Sequence, residues 1–287
     1  MSNYIFQANI DKFEPEVFRY SGEKALFLAD CAKLSYEPED TCRDIMQGQL
    51  SFKNFQFFSG KSTQAFIAGN DKMIIVSFRG TEMKVDDFLR DAKMKPKQGP
   101  VGKVHRGFYG GLHEVWGDDQ ENKGMYQVIK QFRDNNQSIW FGGHSLGAAL
   151  ATLAAAEYVL KGNVHEAEAV KGVYTIGQPR VGDDNFAEAF DAVLGEQCFR
   201  FVNNNDVVTR VPPPGVILDY THVGQQMYID SNGQLLDSIS WWQKLLDRLK
   251  GIGKDIGDKG MDALDDHSSE DYVKLINDNR AVKTKWS

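Results

Sequence analysis

The chain holds 287 residues, 41% of them hydrophobic and 11% aromatic, enough to bury a substantial core in one large domain. Its formal net charge of −7 argues against a nucleic-acid partner, which needs a basic face, and puts any membrane contact on apolar surface rather than on a polybasic patch. Three cysteines, Cys31, Cys42 and Cys198, cannot all pair and none sits in a CxxC, so a disulfide framework is not expected.

At the start, "MSNYIFQANIDKFEPEVFRY" is interrupted by Asp11, Lys12, Glu14 and Glu16. No apolar signal segment survives there, so a cytoplasmic address is expected for the chain as numbered. Export by a non-standard route, or a trimmed leader, would be the alternatives. No apolar run is as long as a membrane-spanning helix requires, so no transmembrane segment is expected. No linker or repeat divides residues 1–287, and a single domain is expected throughout.

The spacing of Leu26, Ala29, Ala32 and Leu34 after the cap candidate Ser21 predicts a helix over 21–36. Residues 63–80 read as a hairpin turning at Gly69-Asn70-Asp71, its second arm rich in Ile and Val. Val85, Phe88, Leu89 and Ala92 share one face of a short helix, and 124–135 is a further helix. A strand at 137–143 then runs into an alanine-rich helix at 145–160. The next strand is 171–177, followed by the helix "DDNFAEAFDAVL" and a strand at 198–204. Alternating strands and helices imply a mostly parallel sheet covered by helices on both faces, with reactive residues beyond the carboxyl ends of the strands.

Within "IWFGGHSLGAALATL", Ser145 lies between Gly143 and Gly147 where strand becomes helix. A nucleophile elbow needs this pattern, because its tight backbone leaves no room for a Cβ two residues before or after the serine. A serine nucleophile needs a base and an orienting acid, expected in the order Ser, Asp, His. Asp206, in "FRFVNNNDVVTRVPPPG", stands just past a strand end in a turn-rich stretch. Its rivals Asp183 and Asp184 look more like a cap for the following helix. Only His222 and His267 follow Asp206. His222 sits in a strand-like stretch, whereas His267 opens a helix from a polar turn, and loop placement favours His267. The His144 ring is expected to point away from the serine. Oxyanion donors are expected from the Leu146 N–H and from Thr81 at the end of "IIVSFRGTE"; Thr81 also reads as a helix cap.

Taken together, "GHSLGAALATL", "SFRGTE", "VHRGFY", "YTIGQPRVGD", "NDVVTRVPP", "THVG" and "DHSSEDY" resemble the class 3 lipases of the α/β-hydrolase superfamily, in that family's order, over about residues 20–275. The resemblance implies an α/β-hydrolase fold with Ser145 as nucleophile, Asp206 as acid and His267 as base. It places oxyanion donors at Thr81 and Leu146, and makes His222 structural. It implies a carboxylester hydrolase, foremost a lipase on acylglycerols. A phospholipase A1 or galactolipase is the runner-up, a feruloyl esterase a further variant, and an inactive lipid-binding module the alternative of another class. The expected partner is a lipid ester at an interface. No metal cluster or nucleotide loop occurs in the sequence, so neither metal nor cofactor is expected.

Two segments would meet lipid. In similar lipases the stretch at 82–95 is a lid, which would present Val85, Phe88 and Leu89 to substrate; a helix packed permanently on the core reads equally well. In 240–264, Trp242, Leu245, Leu246 and Leu249 align on one face with Lys244, Arg248 and Lys250 elsewhere, a composition suited to an interface. This insertion would cover the site, dock peripherally on a membrane or pack on the sheet edge, packing being favoured.

Overall fold

The computed structural model describes residues 4–80, 95–117, 124–204, 206–212, 219–237 and 267–287. Strands β1 (Asn54–Ser59), β2 (Gln64–Gly69) and β3 (Met73–Phe78) form an antiparallel meander at one end of the main sheet. Two short strands follow, β4 (Pro96–Gln98) and β5 (Lys103–His105). Next come β6 (Ser138–His144), β7 (Val170–Ile176), β8 (Gly182–Asp183), β9 (Cys198–Asn203), β10 (Tyr220–Thr221), β11 (Gln225–Ile229) and β12 (Leu235–Leu236). The eight-stranded sheet has the order β1-β2-β3-β6-β7-β9-β11-β12, parallel from β3 through β11.

Side chains alternate across a strand with period two, so a sheet covered on both sides needs apolar residues in both registers. In β6, Ile139 and Phe141 enter one core cluster and Trp140 the other; in β3, Ile74, Val76 and Phe78 oppose Met73 and Ile75. On the Trp140 side lie α1 (Gly22–Leu34), the short α2 (Glu39–Arg43) and α8 (Ser269–Asp278). The Phe141 side carries α3 (Arg106–His113), α4 (Met125–Phe132), α5 (Leu146–Leu160), α6 (Val164–Ala169) and α7 (Asp184–Leu194). The helix α5 is buried from Gly147 to Val159. Its alanines allow it to lie close against β6 and β7, sandwiched beneath α3 and α6.

Local signals set the helix starts. Ser21 caps α1 by accepting from Lys24 N–H, and Asn163 with Glu166 forms a capping box on α6. A second, four-stranded antiparallel sheet, β10-β8-β5-β4, shares the Phe141-side core through Val104 and Val181. Its strands are two or three residues long, too short for alternation to be legible in sequence. Cys31, Cys42 and Cys198 are buried free thiols. No helix among the described residues is long and apolar enough to cross a membrane.

Candidate active site

The joint between β6 and α5 holds Ser145 at φ 58°, ψ −124°, a conformation that L residues avoid and that typically costs about 1–3 kcal/mol. The neighbouring glycines make it attainable. A Cβ on Gly143 would lie 2.3 Å from the Gly147 carbonyl oxygen, and one on Gly147 would lie 2.2 Å from that of Phe78. The turn places Ser145 just past the carboxyl end of β6, with its N–H pinned to the Ile176 carbonyl at 2.9 Å.

Three side chains converge there. His267 Nε2 lies 2.7 Å from Ser145 Oγ, and its Nδ1 donates to Asp206 Oδ2 at 2.8 Å. Because an ionised carboxylate only accepts, the proton must sit on Nδ1, which leaves Nε2 bare to take the serine proton. Asp206 is fully buried just past β9. Its Oδ1 accepts from Val208 N–H at 2.9 Å and its Oδ2 also accepts from the Tyr272 hydroxyl at 2.7 Å. Tyr272, in the first turn of α8, in turn accepts from Asn203 N–H at 2.8 Å.

His144 lies beneath the base. Its ring centroid is 4.7 Å from that of His267, and its Nε2–H donates to the His267 carbonyl oxygen at 2.7 Å. Its Nδ1 accepts from the Tyr36 hydroxyl at 2.8 Å. Burial, with repulsion from His267 adding to it whenever that ring is protonated, holds the His144 imidazole well below the usual histidine range, so it stays neutral. The expectation that this ring points away from the site therefore misses its role, which is to hold the backbone of His267. Gly177, at φ +60°, makes room for the same ring: a Cβ there would sit 2.8 Å from His267 Cε1 and 3.0 Å from Asp206 Oδ2.

The rival residues serve elsewhere. Asp183 caps α7 by accepting from Phe186 N–H at 3.0 Å, and Asp184 accepts from the Thr221 hydroxyl. His222 donates from Nε2 to the Thr209 carbonyl at 2.8 Å, and the Thr209 hydroxyl donates to the Asp206 carbonyl at 2.9 Å. It thus braces the acid's loop from behind. Leu146 is the first residue of α5, where N–H groups have no intrahelical acceptor and carry the positive end of the helix dipole. Thr81, the candidate lid residues Val85, Phe88 and Leu89, and the insertion at 240–264 lie outside the described residues. The arrangement supplies a strained hydroxyl, an imidazole held in place through Nδ1 and a buried carboxyl, which together can carry acyl transfer. Among the described residues no cluster of His, Cys, Asp or Glu could hold a metal ion.

The sequence profile of class 3 lipases matches residues 75–216, which frame both Ser145 and Asp206. Phospholipase A1-II 4 of Oryza sativa subsp. japonica is 30% identical over 199 residues, 62% of this chain and 49% of its own length. Triacylglycerol lipase OBL1 of Arabidopsis thaliana is 30% identical over 247 residues, 70% of this chain and 48% of its own. The chain thus spans about half the length of these relatives. The solved triacylglyceride lipase of Rhizomucor miehei superposes with a TM-score of 0.55 at 26% identity, covering 73% of this chain and 80% of that one. The fold is that of the α/β-hydrolases, and residues 75–216 carry the sequence profile of the class 3 lipase family.

Proposed function

We propose that this protein is a serine carboxylester hydrolase whose substrates are acylglycerols met at a lipid interface. One observation carries the reading: Ser145, His267 and Asp206 lie in a continuous hydrogen-bonded row, at 2.7 and 2.8 Å. In the proposed cycle Ser145 Oγ attacks the ester carbonyl while its proton passes to His267 Nε2. Asp206 stabilises the imidazolium, and the Leu146 N–H, with Thr81 as its expected companion, binds the oxyanion. The tetrahedral adduct collapses, the leaving alkoxide takes the proton from Nε2, and an acyl-enzyme remains. Water, deprotonated by His267, then releases the fatty acid and restores the serine.

The named activities of the relatives support both acylglycerols and phospholipids as substrates, so a phospholipase A1 is the second reading. A catalytically inactive lipid-binding module is disfavoured by the intact row. Hydrolysis of p-nitrophenyl esters, with and without a serine-directed phosphonate, tests the reaction class. Turnover that the phosphonate blocks, with adduct on Ser145 and none in Ser145→Ala, is expected. Absence of both turnover and adduct would overturn the reading. A panel of triacylglycerol, phosphatidylcholine and galactolipid, each as an emulsion or vesicle, then decides between the substrate classes.

A further inference from the structure

A second polar cavity lies one layer behind the acid's loop. Strands β9 and β11 pair in parallel with Arg200 opposite Gln226 and Val202 opposite Tyr228. These four side chains share one face of the sheet, since Phe199, Phe201, Met227 and Ile229 fill the core on the other. Together with Asn204, Arg180, Thr209, Arg210 and His222 they line a cavity of about 120 Å³. That volume holds several water-sized groups.

The lining is cationic and incompletely satisfied. Arg200 is nine-tenths buried or more, and among the described residues it makes one long hydrogen bond, from Nε to the Val223 carbonyl at 3.4 Å, with no ion pair. A guanidinium has five N–H donors, so Arg200 has several left to offer to the cavity that it lines. Burial, with the Arg180 charge adding to it, pushes the Arg200 guanidinium down to about 10, which leaves it charged at neutral pH. Asp191 opposes these effects without coming within ion-pairing distance; its Oδ1 is taken by Gly224 N–H at 2.7 Å. Among the described residues Arg180 donates only to carbonyls, those of Arg210 and Pro212. Asn204 is 4% exposed; its Oδ1 accepts from the Tyr228 hydroxyl at 2.8 Å, while its buried Nδ2 has no acceptor among the described residues. A buried donor without an acceptor and a buried cation without an anion are both costly, and one oxyanion would meet the Asn204 amide and the Arg200 guanidinium together.

We propose that this cavity binds a phosphate group, whose several oxygens match the fork of Arg200 and the amide of Asn204. The site is separate from the ester-cleaving row and does not depend on that chemistry. It is nevertheless linked to it, because Thr209 lines the cavity and bonds the Asp206 carbonyl. The phosphate comes either from the free ion or from a lipid headgroup.

The Ser145→Ala variant, which cannot consume lipid, is suited to the test. Inorganic phosphate should give saturable calorimetric binding and raise Tm by roughly 5–10 °C at a hundredfold excess over Kd, beyond chloride at equal ionic strength. Adding Asn204→Asp places a carboxylate among the arginines while keeping an acceptor for Tyr228. It should raise Tm without phosphate and abolish the phosphate response. Phosphatidylcholine vesicles doped with phosphatidic acid form the second arm. Vesicle binding that Asn204→Asp abolishes and inorganic phosphate displaces assigns the headgroup, whereas a response to the free ion alone assigns that ion. If neither arm shows saturable binding, or if Asn204→Asp leaves it intact, the proposal is overturned and the arginines serve only to latch carbonyls.

Discussion

The Tyr272 hydroxyl donates to Asp206 Oδ2 at 2.7 Å, the same oxygen that receives the Nδ1 proton of His267 at 2.8 Å. One carboxylate oxygen is thus held by two donors from α8 and the turn before it. The acid and the base are positioned relative to each other as well as to the serine.

Removing that hydroxyl should loosen the acid. A hydrogen bond to a charged acceptor contributes about 1.5–3 kcal/mol, and a loss of about 1.4 kcal/mol at the transition state is tenfold in rate. Tyr272→Phe should therefore lower kcat about tenfold with KM little changed. It should also lower Tm, because Asn203 N–H loses the oxygen it donates to. A kcat within twofold of the parent would refute the positioning role.

Gly177 should tolerate no side chain. Alanine there combines a positive φ with a Cβ 2.8 Å from His267 Cε1, and displacing a catalytic ring by about 1 Å can cost about a hundredfold. Gly177→Ala should keep its far-ultraviolet dichroism yet lose phosphonate labelling of Ser145 by about that factor. Labelling at the parent rate would show that the ring is not placed by this contact.

His144 should matter through the backbone it holds. His144→Ala removes the donor to the His267 carbonyl and opens space under the ring, so kcat should fall about ten- to a hundredfold. Tyr36→Phe, which leaves the His144 imidazole in place, should cost less. Steady-state kinetics on a soluble ester will rank the two, and the reverse order would contradict this account.

Stability should respond to acid through two buried groups of opposite sign. His144 is neutral when folded, so its contribution is full above the unfolded value of about 6.5 and falls away as pH drops below it. Asp30 behaves inversely. Burial raises its carboxyl from 3.8 to about 6, against the lowering effect of the Ala8 and Gln7 N–H bonds and of Lys33. Stability tied to its proton is full below the unfolded value and lost as pH rises to about 6, a cost on the order of 2–3 kcal/mol at neutrality. Asp30→Asn should consequently raise Tm at pH 8 and not at pH 4, as thermal melts at the two values will show. Equal shifts at both would mean that the carboxyl is not protonated near pH 6.

Much of this molecule is written locally in its sequence. The double register of Ile, Val and Phe in β3 and β6 announces a sheet covered on both sides, and Ser21 and Asp183 mark helix starts by their own side chains. The elbow is legible because glycine and serine are constrained by neighbours within two residues. Illegible are features made by distant partners. Tyr272 reads as an ordinary helical tyrosine until Asp206, 66 residues away, is folded against it. His144 gains its role only through His267 and Tyr36, separated from it by 123 and 108 residues. The β5–β8 pairing of Val104 with Gly182 has the same origin.

The order of the row along the chain has a consequence for synthesis. Ser145 leaves the ribosome 122 residues before His267, an interval of about 6–24 s at ordinary elongation rates. Until then the elbow carries a hydroxyl with nothing to take its proton. On the proposed reading, a nascent or prematurely terminated polypeptide that lacks His267 has no base at the elbow, and hydrolytic competence waits for the turn before α8 to reach Asp206.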